Sequence, residues 1–441
     1  MLLEFSMKNF KNFLEETNFS MLVKSKQHGL RYSILTKDVK NKPVKALCSS
    51  VIYGQNSAGK TNIIGAIEVL KAIVGRGHIK NCDFITNPNL GTAKLELLPN
   101  NTLSQAEPVE FTIKFIEDSM LISYKLKLDL GEFLDIDYNR KVLSEELEVN
   151  NKLIFSRSAD QQSLIVSNLP TIMDYLPNVV PPLENLLPIM RGTLIAQELF
   201  LCNGFKLIIS PQFVDLILKW FKEKMTVIYR ADTLKTHFQL EGNNKKEILT
   251  NTYINDALKA FGVTANEIGF FYNEETAETQ ALSVLKLVKN NLSVPAELFE
   301  SYGTIRLLNI FPVIMETLQR GGVLLIDEFD ASIHPMALMN IVGVFHNDDI
   351  NINKAQLIFN THNPIFLNSN IFRRDEIKFV ERDEETHSSE IYSLSDFSTK
   401  GEGKRNTGDY MRNYFVSQYG AIKDVDFSSV VEKVVKGEAH D

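Results

Sequence analysis

The feature that most constrains this chain is the run Gly-Gln-Asn-Ser-Ala-Gly-Lys-Thr at residues 54–61. An apolar run at residues 46–53 precedes it and a segment with helical spacing of apolar residues follows it, so a strand, a loop and a helix are predicted. Glycines at both ends let the backbone curl until successive N–H groups point at one anion, and the dipole of the following helix favours the same charge. The run therefore predicts a phosphate-binding loop.

The residues of this loop predict a site for ATP with Mg²⁺. Lys60 would reach the terminal phosphates, and the hydroxyl of Thr61 would bind the magnesium ion. The other loop residues would line the phosphates, mainly with their backbone N–H groups. The residues expected to contact ATP here are Gly54, Asn56, Ser57, Ala58, Gly59, Lys60 and Thr61.

Length and composition are those of a globular protein with more than one domain. The chain has 441 residues, of which 44% are hydrophobic and 23% charged. A formal net charge of −8 argues mildly against a dedicated nucleic-acid binder, although a local basic patch stays open. Three widely spaced cysteines suit a reducing cytosol and indicate no zinc site. Neither a membrane span nor a signal peptide is evident, so we expect a cytoplasmic protein with no membrane partner.

The pattern of the chain changes twice along its length. Residues 1–160 favour strands, with a hairpin turn at Asn150-Asn151, whereas residues 161–292 show helical spacing broken by polar stretches. Residues 293–441 again resemble a nucleotide-binding lobe. We therefore expect the N-terminal part of an ATPase head with an antiparallel β subdomain, then a helical insertion, then the C-terminal part of the head.

Two short apolar runs in the C-terminal part end in polar residues. Asp327 and Glu328 follow the run at residues 323–326, and His362 lies just beyond the run at residues 356–360. Runs that are apolar throughout are typical of parallel strands buried on both faces. Open α/β sheets bind their ligands at the carboxyl ends of such strands. These polar residues are therefore expected to lie beside the phosphate loop.

The chemistry of these residues favours ATP hydrolysis. Asp327 would hold Mg²⁺ through its water shell, and Glu328 would orient or deprotonate the attacking water. His362 would contact the γ-phosphate. The alternatives are an exposed acidic pair and an ordinary polar residue at a strand end, but the upstream loop favours the functional interpretation. Glu328 and His362 are thus the predicted catalytic residues.

A second anion site is predicted at residues 300–304, Glu-Ser-Tyr-Gly-Thr, before a helix-like run at residues 305–318. The Ser301 hydroxyl, the backbone N–H groups around Gly303 and the helix dipole would together hold a phosphate. An ordinary helix cap is the alternative. Pro312 inside the run predicts a kink or an early end of the helix.

The order of these parts resembles ATP-binding-cassette ATPases of the SMC and RecF type. It more closely resembles the bacterial AAA-15/AAA-21 group of RloA-like and abortive-infection ATPases, with the AriA ATPase of the PARIS system among the relatives to compare first. The resemblance implies an α/β fold, namely an ABC-type phosphate-loop ATPase head with an antiparallel β subdomain and a helical insertion. Except in the insertion, matching residues span nearly the whole chain, at 10–13, 54–61, 300–308, 326–335, 361–364, 373–381 and 419–422.

The resemblance also implies a mode of assembly. ATP would lie between two copies arranged head to tail, in a dimer or a higher homo-oligomer. One subunit would contribute its phosphate loop, Asp327, Glu328 and His362, while Ser301 and Gly303 of the partner subunit would cap the γ-phosphate. Closure on ATP and opening after hydrolysis would form a two-state switch.

We expect this switch to act as a sensor or scaffold in antiphage defence, controlling a separate effector in response to a phage-derived trigger. Related nucleases carry a TOPRIM domain after the ATPase, and Glu381, Asp424 and Asp426 superficially resemble its acidic set. However, no glycine directly follows Glu381, and only about 60 residues remain, which is small for an independent domain. The nuclease or toxin is therefore expected to be another polypeptide.

A DNA-repair ATPase that binds duplex DNA directly, as the RecF resemblance allows, is the alternative. It would need a basic surface, for which Lys400, Lys404, Arg405 and Arg412 form a modest cluster, although such clusters are usually solvated. Strongly salt-dependent DNA binding would distinguish the two functions. A transporter ATPase is a weaker third reading, because the insertion and the residues around Ser301 are unlike those of transporters.

Overall fold

A computed structural model describes residues 1–24, 30–80, 96–100, 102, 105–132, 138–158, 163–229, 249–262, 266–273, 278–286, 291–397, 409–422 and 427–436. Their strands form sheets of seven, six, four and two strands, and helices cover the six-stranded sheet. The predicted α/β class is confirmed. In the described ranges, no helix combines the length and the apolar composition that crossing a membrane requires.

The strands are numbered in chain order. They are β1 (Leu2–Lys8), β2 (Thr17–Ser20), β3 (Ile34–Val39), β4 (Lys42–Leu47), β5 (Ser49–Gly54), β6 (Val109–Glu117), β7 (Met120–Asp129), β8 (Lys141–Val149), β9 (Lys152–Ser158), β10 (Ile165–Val166), β11 (Met225–Ile228), β12 (Leu249–Thr250), β13 (Glu267–Asn273), β14 (Glu278–Lys286), β15 (Asn291–Pro295), β16 (Val323–Ile326), β17 (Gln356–Asn360), β18 (Ile377–Arg382) and β19 (Ser389–Ser393).

The α-helices are numbered in the same way. They are α1 (Lys60–Arg76), α2 (Leu183–Gly192), α3 (Lys206–Ile208), α4 (Pro211–Lys219), α5 (Thr252–Ala260), α6 (Ala296–Phe299), α7 (Tyr302–Arg320), α8 (Pro335–Phe345), α9 (Tyr410–Phe415) and α10 (Ser428–Val435). Short 3₁₀ helices lie at Arg31–Ser33, Leu169–Tyr175, Pro364–Phe366 and Leu394–Asp396, and π-helical turns at Leu201–Phe205 and Trp220–Lys224.

The six-stranded sheet is the centre of the molecule, in the order β11-β16-β17-β5-β18-β19. Its first five strands are parallel, and β19 pairs antiparallel with β18. Alternate residues face two separate cores. Ile358 packs with residues of α1 on one face, whereas Leu357 and Phe359 pack with residues of α7 and α8 on the other. Burial on both faces explains why β16 and the middle of β17 (residues 357–359) are apolar.

The seven-stranded antiparallel sheet has the order β10-β9-β8-β7-β6-β1-β2. Val149 at the end of β8 pairs with Lys152 at the start of β9, and Asn150 and Asn151 form the turn with left-handed φ angles of 54° and 60°. Asparagine tolerates this conformation better than most residues, so the predicted hairpin is confirmed.

The segment at residues 161–292 was expected to be a helical insertion, but it is helical mainly in its first half. Strand β11 leaves it to join the edge of the parallel sheet beside β16, and β12, β13, β14 and β15 form a separate antiparallel sheet. Strand β15 also crosses the boundary predicted after residue 292. Four residues, as in β11, are too few to show a period, and they follow directly on a helical stretch.

Two local predictions hold only in part. A strand leads into the phosphate loop as predicted, but it is β5 alone, because the chain turns at Cys48 from β4, which pairs with β3, into β5 of the parallel sheet. Of the two alternatives at Pro312, the early end is wrong, because α7 continues to Arg320. Proline removes one backbone hydrogen bond, and the buried Ile310 and Ile314 keep this helix packed on the core.

Candidate functional site

The candidate site lies at the carboxyl edge of the parallel sheet, where β16, β17 and β5 end side by side. Because β17 is the middle strand, its last residue stands between the phosphate loop and the Asp-Glu pair. The cleft there encloses about 190 Å³. Its lining consists of Asn56, Ser57, Gly59, Lys60, Thr61, Asn62, Glu328, Asn360 and His362. The structure thus brings the predicted loop, acid and histidine together.

The loop leads from β5 into α1, and its two glycines are needed for different reasons. A Cβ at Gly54 would lie 2.4 Å from the carbonyl oxygen of Val380, so the neighbouring strand leaves no room for a side chain. Gly59 has a φ of 111°, and a Cβ there would lie 2.2 Å from Nδ2 of Asn12. Ser57 is also left-handed, with a φ of 63°. Such curling turns N–H groups inward, as an anion site requires.

Asn12 braces this loop and was not assigned a role by the sequence. Its Nδ2 donates to the carbonyl oxygen of Ala58 at 2.9 Å, and its Oδ1 accepts from Nδ2 of Asn62 at 2.6 Å. The hydroxyl of Ser389, on β19, donates to the same Ala58 oxygen at 2.7 Å. Two side chains from distant parts of the chain therefore fix the back of the loop.

Lys60 is buried at the start of α1. Its ammonium donates to the carbonyl oxygens of Gly54 and Gln55, each at 2.8 Å. Burial lowers the pKa of Lys60 to about 8, although the nearby carboxylates of Asp327 and Glu328 favour the charged form. The ammonium is therefore held against the backbone of the loop whose bound phosphates it would contact.

Thr61 and Asp327 meet across the cleft. The Thr61 hydroxyl donates to Oδ1 of Asp327 at 2.9 Å, and Nδ2 of Asn360 donates to the same oxygen. Hydroxyl and carboxylate oxygens are the ligands that Mg²⁺ prefers, so this pair fits the ion.

Glu328 combines a fixed backbone with an exposed carboxylate. It has a left-handed φ of 50°. Its N–H donates to Oδ1 of Asn360 at 2.5 Å, while Nη2 of Arg306, from α7, donates to its carbonyl oxygen at 2.6 Å. Neither Asn360 nor Arg306 was assigned a role by the sequence. The only available signal was a polar residue at the end of an apolar run beside the Asp-Glu strand.

His362 lies exposed at the cleft, two residues beyond the end of β17, where its position is set by its neighbours. The Thr361 N–H donates to the carbonyl oxygen of Ile52, and Asn363 caps the following 3₁₀ turn. Burial and, to a lesser degree, Lys60 lower the pKa of His362, while Asp330 and Asp327 oppose this shift. A neutral imidazole at pH 7 offers one N–H to a phosphate oxygen.

Ser301 and Gly303 do not line this cleft of their own subunit. Oγ of Ser301 caps α7 by accepting the Thr304 N–H at 3.1 Å, so the ordinary cap is what the structure shows. A Cβ at Gly303 would lie 2.3 Å from the carbonyl oxygen of Ser332, so glycine lets α7 approach the loop after the Asp-Glu pair. Their contact with a phosphate bound to another subunit stays a prediction.

Glu381, weighed above as a nuclease residue, lies on β18 of the ATPase sheet. Its carboxylate accepts the Tyr392 hydroxyl at 3.0 Å. Asp424 and Asp426 lie outside the described residues, as do Lys400, Lys404 and Arg405 of the basic cluster, whose remaining member, Arg412, is exposed on α9.

Comparisons with known proteins identify the family of this chain and structures similar to it. The family described as "AAA domain, putative AbiEii toxin, Type IV TA system" matches residues 49–169 and 215–368, and no curated protein matches. Among solved structures, the SMC head domain from Thermotoga maritima is 13% identical with a TM-score of 0.39, covering 89% of this chain and 98% of that chain. The SmcHead bound to the C-winged helix domain of ScpA is 12% identical with a TM-score of 0.40, covering 90% and 98%. Because the family match spans more than half of the 441 residues, the chain belongs to this AAA_21 family.

Proposed function

We propose that this protein binds ATP with Mg²⁺ at the carboxyl edge of its parallel sheet and hydrolyses it. The observation that carries the proposal is the convergence, in one cleft, of the phosphate loop, the Thr61–Asp327 pair and the exposed carboxylate of Glu328. These groups follow two strands, β5 and β16, which are far apart in sequence and flank β17 in the sheet.

Each residue has a distinct role in the proposed reaction. Lys60 would bind the terminal phosphates, and Thr61 and Asp327 would hold a magnesium ion that neutralises their charge. Glu328 would orient and deprotonate the attacking water, because its backbone is fixed while its carboxylate reaches into the cleft. The N–H of a neutral His362 would bind an oxygen of the γ-phosphate.

We further propose that two copies pair head to tail, so that Ser301 and Gly303 of one subunit cap the nucleotide of the other. A cleft of about 190 Å³ is smaller than the roughly 300–1,000 Å³ of most small-molecule sites. One subunit therefore encloses only part of a nucleotide. Apolar side chains next to Ser301 are available for pairing, since Leu298, Phe299 and Tyr302 are 83%, 52% and 60% exposed.

Mixing two inactive variants tests hydrolysis and pairing together. Lys60→Ala removes the phosphate ligand, and Ser301→Arg blocks the cap. Either variant alone is expected to be inactive. A mixed pair contains one intact site, built from Lys60 of one subunit and Ser301 of the other.

Equal, fully exchanging amounts should recover about a quarter of wild-type phosphate release, because half of the pairs are mixed and each has one intact site. Two different affinity tags would show that mixed pairs form. Mixed pairs that form but release no phosphate would contradict the head-to-tail site.

For the biological role, we propose a cytoplasmic sensor or scaffold in antiphage defence that responds to a phage-derived trigger. It would control a separate effector, such as a TOPRIM nuclease or a toxin. The family description names a putative toxin of a type IV toxin–antitoxin system, which supports a toxin-related setting. The position of Glu381 within the ATPase sheet agrees with an effector on another chain.

Purification from the native operon tests this role. We expect a second protein to co-purify, and loss of phage resistance when Lys60→Ala replaces the wild type. The absence of both would contradict the proposal. Tight binding of duplex DNA that weakens steeply with salt would instead support the DNA-repair alternative.

A further inference from the structure

A second cluster of polar side chains lies at the opposite, amino edge of the parallel sheet. Cys48 precedes β5, His346 follows α8 and Glu376 precedes β18. These side chains are buried, with exposed fractions of 0%, 6% and 0%. Their sulfur, nitrogen and oxygen atoms lie within 4.8 Å of one another. Nothing in the proposed ATPase reaction uses this cluster.

The spacing of these atoms fits one metal ion. Nε2 of His346 and Oε1 of Glu376 are 3.3 Å apart, and the hydroxyl oxygen of Ser49 is 2.8 Å from each. In a tetrahedral zinc site with N and O ligands at 2.0–2.2 Å, ligand atoms are about 3.4 Å apart. The nitrogen and the carboxylate oxygen already have this separation, whereas the Ser49 hydroxyl, now hydrogen-bonded to both, would need to move away from them by about 0.6 Å. The thiol sulfur would need to move by about an ångström at most.

The surroundings hold two of the ligands in place. The His346 ring packs against the rings of Tyr32 and Phe372, with centroids 5.5 and 5.6 Å away. Oε2 of Glu376 accepts the backbone N–H of Arg373 at 2.7 Å, which leaves Oε1 directed into the cluster. Groups that orient the ligands from outside in this way are a regular part of protein metal sites.

The thiol of Cys48 is held less firmly than the other two groups. Its sulfur lies 3.6 Å from the carbonyl oxygen of Phe345, a weak hydrogen bond. Loss of this contact costs little, so the sulfur is available for another bond.

We propose that Cys48, His346 and Glu376 bind a divalent metal ion, with Zn²⁺ the best match, and that the Ser49 hydroxyl lies at the fourth position. Binding releases the thiol proton to solvent, and the thiolate and carboxylate then balance the two positive charges within a dry interior. A mixed S, N and O ligand set favours zinc over Mg²⁺, which prefers oxygen alone. The ion would join the starts of β5 and β18 to the end of α8.

Cysteine spacing gave no sign of this site, and the sequence argued against zinc. The reason is that the ligands lie at positions 48, 346 and 376 and meet only through the order of the parallel strands. No short Cys-His motif can form from residues that far apart.

The direct test uses untagged full-length protein that is loaded with Zn²⁺ and dialysed against buffer with excess Mg²⁺. We expect about one zinc per chain by elemental analysis. X-ray absorption should show one sulfur at about 2.3 Å and nitrogen or oxygen ligands at about 2.0–2.2 Å. Protein that retains no zinc, or zinc without a sulfur ligand, would overturn the proposal. This measurement needs no variant and is independent of ATP hydrolysis.

Cobalt identifies the cysteine. Protein loaded with Co²⁺ should show a thiolate charge-transfer band that is lost in Cys48→Ser and retained in Cys202→Ser and Cys82→Ser. A band that persists in Cys48→Ser would exclude this site. If Cys48→Ser does not fold, the sulfur signal of the wild type and the metal content of His346→Gln decide. Full zinc occupancy in His346→Gln would also contradict the proposal.

Discussion

The two ends of the parallel sheet are built in opposite ways. At the carboxyl end, Ser57, Gly59 and Glu328 have left-handed φ angles, and the Glu328 carboxylate is exposed. At the amino end, Cys48 and Glu376 are fully buried and neither has a positive φ. Unusual backbone conformations are kept where a ligand must approach. We call the carboxyl end of the sheet the reactive edge and the amino end the anchored edge. Variants at the two edges should have different effects on activity and on stability.

The largest expected effect is at the reactive edge. Glu328→Gln removes the proposed general base but keeps the shape of the side chain, so hydrolysis should fall by about 10²- to 10⁴-fold. ATP affinity should change little, because Glu328 is not among the residues proposed to bind the phosphates. Phosphate release and equilibrium nucleotide binding measure the two quantities. Glu16→Gln, on an exposed residue, is the control, and a Glu328→Gln variant as fast as wild type would refute this mechanism.

A variant of Asn360 tests whether its two hydrogen bonds to the Asp-Glu pair, called the clamp below, matter for the reaction. Asn360→Leu keeps the volume but removes the hydrogen bonds to the Asp327 carboxylate and the Glu328 N–H. Unsatisfied buried groups cost about 1–3 kcal/mol each, so kcat should fall by about 10- to 100-fold. Asn340→Leu, on the exposed side of α8, should leave kcat unchanged. Equal rates for both variants would show that the clamp is dispensable.

The anchored edge should respond in stability rather than in activity. In metal-free protein, Glu376→Gln weakens the hydrogen bonds to Ser49 and Arg373 and should lower the free energy of unfolding by about 1–3 kcal/mol. The KM for ATP should stay within about twofold of the wild type, since no Glu376 contact reaches the cleft. Urea denaturation and steady-state kinetics provide the two values. A large rise in KM would show that the two ends are coupled.

Asn12 has a smaller role at the reactive edge, because it holds the loop from behind. Asn12→Ala removes the hydrogen bonds to Ala58 and Asn62. Because the loop is then held less firmly, the binding free energy of ATP should weaken by about 1 kcal/mol, which raises the KM by about fivefold. Asn18→Ala, on the edge strand β2, is the matched control. An unchanged KM in Asn12→Ala would mean that Ser389 holds the loop without help.

The smallest effect concerns pH. Because burial lowers the pKa of Lys60 to about 8, the ammonium is mostly charged at pH 7 and mostly neutral at pH 8.5. Bound phosphates favour the charged form, so ATP affinity should be constant below pH 7 and fall by about fourfold between pH 7 and 8.5. Calorimetry in buffers with different ionisation heats should show proton uptake on binding at pH 8.5. Binding without proton uptake would show that Lys60 stays charged in the empty site.

The sequence was most informative where contacts are local. The phosphate loop and the two buried strands that end at Ile326 and Asn360 follow from short stretches of chain, and each is seen in the structure. The carboxyl-edge site was also predictable, because parallel strands end at one edge of a sheet. The side chains that hold these groups in place were not predicted.

The remaining features depend on contacts between distant segments. Asn12 reaches Ala58 and Ser389 across 46 and 377 residues, and Asn360 reaches Asp327 across 33. Spacing within a motif holds no information on such pairs. Strand β11 was missed for a related reason, since only its pairing with β16 makes it a strand.

Helix α7 touches the loop around Glu328, the proposed general base, at two points, through Gly303 against Ser332 and through Arg306 against the Glu328 carbonyl oxygen. No side chain fits between Gly303 and Ser332. A displacement of the exposed N-terminus of α7 would therefore be transmitted through this tight contact to the loop that carries Glu328. In the paired arrangement proposed above, that beginning is where the neighbouring subunit and its nucleotide press. Each subunit would thus sense the occupancy of its neighbour's site through its own α7 and the loop that carries Glu328.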